Sequence, residues 1–326
     1  MAMVSDLELE NAIRHWYPQL GRPLRLEPLP PAGRLRVWRV EAPLGRFFVR
    51  LHPSMEDAKG LPFEVHTLRF LHQQRHWAPE VLLSADERSY GEVAGRPFVV
   101  FADVAGTPAG PEAAEVLGRV LAEIHQLGLE FDPPPRAGMP PWSFVDWFDP
   151  ELWDWNAIER NAGRLAEEAP ELAASLPYLR ELPREVASWL RTAPLTGPIP
   201  TFGLVHGNFG PEAVLLTDGE VRAVRHWERA RADWLVADLA LGLWRTAARP
   251  GASTLDQALA DRFLSGYRNA GGPVGEEELT LLAGVLRVEL LGLLLRRLAE
   301  APDAAEVRRL LLAVEAIRPD TPLLHQ

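Results

Sequence analysis

The chain has 326 residues, which is enough for about two domains or for one unit with two lobes. Its hydrophobic content of 47% and charged content of 24% exclude a disordered chain, and its net charge of −11 argues against a basic nucleic-acid-binding protein. The sequence contains no cysteine, which excludes a disulfide framework, a thiolate metal site and a cysteine nucleophile.

The N-terminal region offers no targeting pattern. Residues 1–16 lack the basic start and the apolar core of a signal peptide. The apolar stretch at residues 290–295 is bounded by Glu289 and Arg296, so it stays below the ~18 apolar residues that a membrane span needs. We therefore expect a cytoplasmic protein with no membrane partner.

The first predicted elements are a helix and a β-hairpin. Ser5 and Glu8 form a capping box, which predicts a helix that begins here and ends near Pro18. Residues 35–40 alternate in polarity, and residues 46–51 are aromatic and β-branched, so both are predicted strands. A short turn joins them.

An amphipathic helix and further strands complete this region. Residues 63–73 have the apolar spacing of a helix, and this helix carries Glu64. Residues 81–83 and 98–101 are predicted strands. A hairpin, a helix and then more strands form an α+β layout with a mainly antiparallel sheet.

The second part of the chain is mainly helical. Residues 111–127 carry an apolar stripe typical of a helix, and residues 131–150, rich in Pro and Trp, predict an ordered loop. Helical patterns continue to residue 191 and resume from Asp238. The last two predicted helices cover residues 276–299 and 303–317.

A short hairpin interrupts these helices. Residues 214–216 and 221–224 are apolar enough for strands, and the Asp218-Gly219 step between them is a strong hairpin signal.

The region around this hairpin carries the most specific motif. Residues 206–208 read His-Gly-Asn, Ala213 follows after four residues, and His226 precedes Trp227 after the hairpin. This arrangement resembles the catalytic region of the aminoglycoside phosphotransferase and choline kinase-like family. The family pattern is His-Gly-Asp, four residues, Asn, a hairpin, and then Asp followed by Trp or Phe. The spacing matches without a gap.

The resemblance implies a chemistry that this chain lacks the groups to perform. In the family the first Asp accepts the proton of the attacking hydroxyl, and the Asn and the later Asp hold magnesium ions on the nucleotide phosphates. The corresponding residues here are Asn208, Ala213 and His226. An amide is no base, a methyl group has no ligand atom, and an imidazole nitrogen suits magnesium poorly. The sequence therefore predicts a catalytically impaired member, a pseudokinase.

The N-terminal part resembles the family more loosely. Arg50 stands where a basic residue holds the α- and β-phosphates, and it is expected to pair with Glu64. Residues 30–33 stand where a loop would cover the phosphates, and residues 98–103 lead into the hinge where adenine would bind. The nucleotide-binding residues that the resemblance implies are Arg50, Glu64, Val100, Phe101 and Asp103.

The implied fold is an α+β, two-lobed protein-kinase-like fold. Its small antiparallel-sheet N-lobe covers residues 1–104, and its larger helical C-lobe covers residues 105–326. The resemblance implies ATP as the cofactor, whereas the lost ligands argue against magnesium. The substrate or protein partner stays unidentified, because the family handles aminoglycosides, choline, homoserine and sugars.

Two other functions remain open beside ligand or partner binding by a pseudokinase. An active ATP-dependent small-molecule kinase would need rearranged catalytic groups, and Glu212 or Glu228 could supply a displaced carboxylate. A purely structural scaffold would have a collapsed cleft.

The singled-out residues also have structural interpretations. His206 orders its loop in the family, and Asn208 would act as a loop-capping amide. His226 would be solvated or hydrogen-bonded rather than a ligand for a softer metal. Arg50 with Glu64 would be a salt bridge only, and Asp238 would cap its helix.

Overall fold

A computed structural model describes residues 4–32, 35–75, 77–132, 136–137, 153–165, 170–249, 254–300 and 303–323. The chain forms two compact units, and each is assembled from separate segments. The first unit contains Met1–Pro108, Asp132–Met139 and Val214–Ala230, and the second contains Ala109–Phe131, Pro140–Ala213 and Arg231–Gln326. The sequence predicts one cut near residue 104. The compact units differ from that cut because two later segments also belong to the first unit.

The first unit begins with helix α1, Asp6–Trp16. The predicted capping box at its N-terminus is confirmed. Ser5 Oγ accepts a hydrogen bond from the Glu8 amide at 3.3 Å, and Glu8 Oε2 accepts one from the Ser5 amide at 2.8 Å. Both contacts satisfy amides that the helix itself leaves unpaired. Leu9 and Ile13 lie on the apolar face of α1 and are buried in the core.

An antiparallel sheet follows, with strand order β1-β2-β3-β6-β4 and with β5 also paired to β6. Its strands are β1 Arg25–Ala32, β2 Leu35–Ala42, β3 Gly45–Leu51, β4 Val81–Leu82, β5 Gly91–Val93 and β6 Arg96–Ala102. The predicted strands within β2, β3, β4 and β6 are confirmed. The sequence did not predict β1, because Pro28 and Pro30 argue against a central strand. β1 ends the sheet order, and an edge strand tolerates proline because one side of it needs no ladder partner.

Alternation along β2 and β3 builds the core of this unit. Trp38, Val40, Val49 and Leu51 are buried, whereas their neighbours in sequence face the opposite side of the sheet. Helix α2, Leu61–Arg75, covers the predicted helix and extends it at both ends.

A smaller sheet also belongs to the first unit, with strand order β10-β9-β7. Its strands are β7 Thr107–Pro108, β9 Val214–Thr217 and β10 Glu220–Val224. The predicted hairpin between β9 and β10 is confirmed. Asp218 and Gly219 both have positive φ values, 53° and 79°, which a two-residue hairpin turn of this type requires.

The second unit is mainly helical. Its elements are α3 Ala114–Leu129, α4 Trp155–Leu165, α5 Pro170–Thr196, β8 Phe202–Val205, β11 Arg231–Trp234, α6 Leu235–Ala247, α7 Gln257–Asn269, α8 Leu282–Ala299 and α9 Ala304–Ala316. Helices α3 and α7 cross with their backbones in contact. A Cβ on Gly118 would lie 1.9 Å from the Phe263 carbonyl oxygen, and one on Gly266 would lie 2.0 Å from that of Glu115. Only glycine permits this close crossing.

Two predictions fall wholly or partly outside the described residues. The structure describes only residues 131–132 and 136–137 of the predicted loop at 131–150. Gly33 of the predicted phosphate-covering loop also lies outside, whereas residues 30–32 end strand β1. Of the helices described here, none combines the length and the apolar character needed to traverse a bilayer.

Candidate functional site

The motif of the second unit forms a tight loop after β8, and buried Asp238 holds it. Asp238 Oδ2 accepts a hydrogen bond from the His206 amide at 2.6 Å, and Oδ1 accepts one from the Gly207 amide at 3.0 Å. Gly207 has a φ of 72°, a conformation that glycine adopts without strain. Because both carboxylate oxygens bind the loop backbone, the turn has a fixed geometry.

The predicted role of Asp238 as an N-cap is wrong. Helix α6 begins at Leu235 and its N-cap is Trp234, so Asp238 is the fourth helical residue, at the end of the first turn. Its carboxylate binds the preceding loop instead of its own helix. The sequence pattern could not reveal this, because the partners are backbone amides 31 and 32 residues earlier in the chain.

His125 of α3 extends this network. His125 Nε2 lies 3.5 Å from Asp238 Oδ2, and His125 Nδ1 lies 2.8 Å from the Tyr267 hydroxyl. Burial by itself would raise the pKa of Asp238, but the nearby imidazole of His125 and the hydrogen bond from the His206 amide outweigh it and lower the pKa. Asp238 is therefore ionised, and its carboxylate has a structural role in holding the loop.

His206 and Asn208 are tied into the same loop. His206 is fully buried, its Nδ1 accepts a hydrogen bond from the Asn208 amide at 3.1 Å, and its ring meets Phe209 edge-on. Arg245 Nη1 donates to the Asn208 carbonyl oxygen at 3.0 Å. These contacts are of the loop-ordering kind that the sequence predicts for His206. His206 and Arg245 thus hold the backbone of Asn208. The residue as a whole is half-buried.

Ala213 ends the loop in a short 3₁₀ turn, Pro211–Ala213. Ala213 is 2% exposed, so its methyl group is part of the packed interior and offers no atom to a ligand. Its neighbour Glu212 is exposed on this turn.

The first unit contains a cavity of about 430 Å³. Its lining includes the aromatic residues Phe48 and Phe101 and the charged residues Arg39, Arg46, Arg50, Glu64, Asp103, Arg225 and Glu228. This set is rich in guanidinium groups, which bind phosphate and carboxylate groups well. We refer to this space below as the cavity.

Arg50 of β3 and Glu64 of α2 form the predicted ion pair. Arg50 Nη2 lies 2.6 Å from Glu64 Oε2, and both side chains are largely buried, so the prediction of their pairing is confirmed. The guanidinium also lies over the Phe101 ring, 5.0 Å from its centroid. Burial alone would lower the pKa of Arg50, but the carboxylates of Glu64 and Glu228 outweigh it and raise the pKa.

Glu228 lies on the same cavity wall in the short 3₁₀ turn Trp227–Arg229. Its Oε2 lies 3.8 Å from Arg50 Nη1, and its Oε1 lies 3.7 Å from His226 Nδ1. Burial would raise the pKa of Glu228, but the nearby imidazole of His226 and the charge of Arg50 lower it to about 2. Glu228 is therefore ionised across the physiological range.

His226 occupies a strained backbone position in front of this turn. Its φ of 68° and ψ of 44° place it in the left-handed region, which is uncommon for a residue other than glycine. The side chain is 44% exposed and lines the cavity.

The expected hinge residues divide between two environments. Phe101 and Asp103 line the cavity, and Asp103 Oδ2 lies 3.4 Å from Arg46 Nε. Val100 is fully buried in the core of the first unit, because successive side chains of β6 face opposite sides of the sheet. The sequence reasoning missed Arg39, Arg46 and Arg225. These arginines alternate with apolar residues in or directly after strands near the predicted nucleotide site, and this alternation was the one signal that could have indicated them.

A comparison with known protein families shows which family the chain belongs to. The model of the phosphotransferase enzyme family APH matches residues 26–276. The chain belongs to this family.

Curated relatives of this phosphotransferase-family chain are named homoserine kinases. The protein from Chelativorans sp. (strain BNC1) is 26% identical over 317 residues, covering 94% of this chain and 90% of the relative. The protein from Sinorhizobium medicae (strain WSM419) is 28% identical over 244 residues, covering 72% of this chain and 66% of the relative.

Solved structures share the fold at low sequence identity. Amicoumacin kinase hAmiN in complex with AMP-PNP, Ca²⁺ and Ami has a TM-score of 0.69 at 17% identity, covering 99% of this chain and 95% of the other. The microcompartment-associated aminopropanol kinase has a TM-score of 0.65 at 15% identity, covering 95% and 94%. These likenesses confirm the α+β, protein-kinase-like fold.

The family implies a nucleotide and magnesium, and the residues of this chain fit them unequally. Magnesium prefers oxygen ligands, but the two positions where the sequence resemblance implies metal ligands carry the methyl group of Ala213 and the imidazole of His226. Among the described residues, no group of three or more His, Asp or Glu side chains is arranged to hold a metal ion. The cavity, in contrast, offers aromatic faces and guanidinium groups that suit a nucleotide.

Proposed function

We propose that this protein is a nucleotide-binding member of the phosphotransferase family that does not perform magnesium-dependent phosphoryl transfer. The observation that carries the proposal is the side chain at the family's metal-binding Asn position, Ala213, which is a buried methyl group. A ligand cannot be restored there by a rotamer change. Phosphoryl transfer depends on metal ions to neutralise charge on the transferred group, so losing this ligand removes a central part of the chemistry.

The base position supports the same proposal. Asn208 carries an amide, which does not accept a proton from a hydroxyl group at physiological pH. The buried carboxylate of Asp238 is no substitute, because both of its oxygens accept hydrogen bonds from the loop backbone. The loop is thus held in place by the fold but offers no group that could perform the proton transfer.

The cavity supports nucleotide binding as the retained function. Arg39, Arg46, Arg50 and Arg225 line it together with Phe48 and Phe101. A planar guanidinium binds phosphate oxygens through two parallel hydrogen bonds and keeps its charge at any relevant pH. Phosphates can therefore be neutralised there by side chains, without a divalent cation. The protein would then act through the bound ligand or through a partner that responds to it.

A second candidate function is an active small-molecule kinase with rearranged groups. One observation favours it: Glu228 is an ionised carboxylate on the cavity wall, two residues after the family's metal-binding Asp position. Glu212, the other carboxylate considered, is absent from the described lining of this cavity. The relatives named homoserine kinase make homoserine the first hydroxyl acceptor to test.

The deciding experiment compares ATP consumption by the wild-type protein and by two variants, with magnesium and homoserine present. The first variant, Glu228→Gln, removes the candidate carboxylate, and the second combines Asn208→Asp, Ala213→Asn and His226→Asp. We expect no turnover by the wild type or by Glu228→Gln, although both bind ADP. Turnover by the wild type that is lost in Glu228→Gln would instead establish the rearranged kinase. The triple variant reports whether the three positions alone separate this chain from an active enzyme.

A further inference from the structure

Arg136, which is distant in the sequence, forms hydrogen bonds with the cavity wall that contains His226 and Glu228. Arg136 Nη1 donates to the Ala230 carbonyl oxygen, and Arg136 Nη2 donates to the Glu228 carbonyl oxygen. Both acceptors belong to the turn Trp227–Arg229 or directly follow it. Arg136 also lies within the first unit, in the segment Asp132–Met139.

The same guanidinium rests on the first turn of α2. It lies over the Phe63 ring, 5.6 Å from the centroid. Gly60 lies directly against the Arg136 guanidinium. The Gly60 carbonyl oxygen accepts the first hydrogen bond of α2, from the Glu64 amide at 3.1 Å. A Cβ on Gly60 would come within 2.9 Å of Arg136 Nε and Nη2. The glycine therefore leaves the space that the guanidinium occupies.

These contacts fix Glu228 from both ends. Its backbone carbonyl is held by Arg136, and its side chain lies 3.8 Å from Arg50. Arg50 in turn binds Glu64, which lies one residue after Phe63 on α2. Two arginines thus bind the turn Trp227–Arg229 to the first turn of the same helix.

We infer that Arg136 is a positioning residue for the cavity: its two hydrogen bonds to the backbone hold His226 and Glu228 in place against α2. Arg136 itself is absent from the lining of the cavity, so it acts through the turn. The guanidinium suits this role because its fork donates to two carbonyl oxygens at once, which an ammonium group does less well.

Gly60 gives the inference a sharp test through a double-mutant cycle. The four proteins are the wild type, Arg136→Ala, Gly60→Ala and the double variant. Removing Arg136 breaks two charge-assisted hydrogen bonds, so we expect ADP, titrated with EDTA present, to bind about tenfold more weakly. A methyl group on Gly60 displaces the guanidinium, so Gly60→Ala alone weakens binding in the same direction. In the Arg136→Ala background the methyl group has nothing to displace and adds no further loss.

Hydrogen exchange in the ligand-free protein provides a second readout, because only the affinity measurement rests on the proposed function. We expect Arg136→Ala to accelerate exchange of the amides at residues 224–230 and to leave those of α8 unchanged. Arg136→Lys should restore part of the protection. A matched control is Arg119→Ala, which removes an exposed arginine from α3 and should alter neither readout.

Each outcome decides between the alternatives. Wild-type exchange rates at residues 224–230 in Arg136→Ala, or additive effects in the cycle, would overturn the positioning role. Accelerated exchange without any binding of ADP by the wild-type protein would uphold the role of Arg136 and overturn the proposed function.

Discussion

The loop at residues 206–210 and the cavity around Arg50 differ in how their charged groups are used. The loop is held by contacts of Asp238, His206 and Arg245, and Asn208 carries an amide where the sequence resemblance implies a carboxylate. The cavity contains the charged pair Arg50 with Glu64, and the imidazole of His226 lines it where the sequence resemblance implies a metal ligand.

This difference shows which groups the fold itself requires. Asp238 satisfies two buried amides, so replacing it would leave them without acceptors. The side chain at position 208 satisfies no such requirement, because the loop is held through the Asn208 backbone. The carboxylate of Asp238 thus serves the fold, whereas the side chain at position 208 can change without loss of the contacts that hold the loop.

The largest expected effect tests the structural side of this comparison. Asp238→Ala leaves the amides of His206 and Gly207 without acceptors and His125 without its carboxylate, so we expect a loss of about 3–5 kcal/mol in unfolding free energy. Urea denaturation at pH 7 measures it. Asp261→Ala, which removes an exposed carboxylate from α7, is the matched control and should change stability by less than about 0.5 kcal/mol. A loss no larger than that of the control would refute the structural role.

Replacing Arg50 separates a structural salt bridge from a ligand site. Arg50→Met leaves Glu64 buried without its cation, and we expect a loss of about 2–3 kcal/mol in stability. The double variant Arg50→Met/Glu64→Leu removes both charges and should recover most of this loss.

ADP titration then completes that test. Neither variant should bind ADP as the wild type does, because the guanidinium that would bind phosphate is gone in both. If the stable double variant binds ADP with wild-type affinity, the ion pair serves the fold alone.

The pH dependence of stability tests the electrostatics of the cavity wall. The pKa of Glu228 is lowered from 4.5 to about 2 in the folded protein, so this group stabilises the fold above the unfolded pKa. The contribution is lost as the pH falls from about 5 toward 2. Because the side chain is 30% exposed, we expect it to be about 1–2 kcal/mol after screening. Compared with the wild type, Glu228→Gln should have a lower urea midpoint at pH 7 and the same midpoint at pH 2. A variant with the wild-type midpoint at pH 7 as well would contradict this prediction.

The smallest expected effect concerns the base position. Asn208→Asp should change stability by less than about 0.5 kcal/mol, because the loop binds this residue through its backbone. It should not create ATP turnover, because Ala213 and His226 still stand where the sequence resemblance implies metal ligands. Thermal unfolding and an ATP consumption assay measure the two effects. Turnover by this single variant would show that metal binding was never lost.

Local sequence signals predicted the elements that local physics determines. The capping box at Ser5 and the Asp218-Gly219 turn fold through contacts within a few residues, and both predictions are confirmed. Strand β1 was missed because its prolines argue against a strand, and only its place at the sheet edge makes them acceptable.

The candidate site was harder to predict because its key contacts span long stretches of sequence. The pairing of Arg50 with Glu64 was predicted through the family resemblance. The binding of the loop at His206 by Asp238 and of the turn at Glu228 by Arg136 was not, since no short pattern records a contact 32 or 92 residues away. Tertiary packing alone brings these groups together.

Thermal unfolding with ATP, in EDTA and in excess magnesium, tests the central claim most directly. A ligand that binds only the folded protein stabilises it by about 2.7 kcal/mol at 100 times its Kd, which raises the unfolding midpoint by several degrees. We predict the same rise with EDTA as with magnesium, because in the proposed function arginine side chains, not metal ions, neutralise the phosphates. A rise that requires magnesium would contradict the account and favour an active kinase.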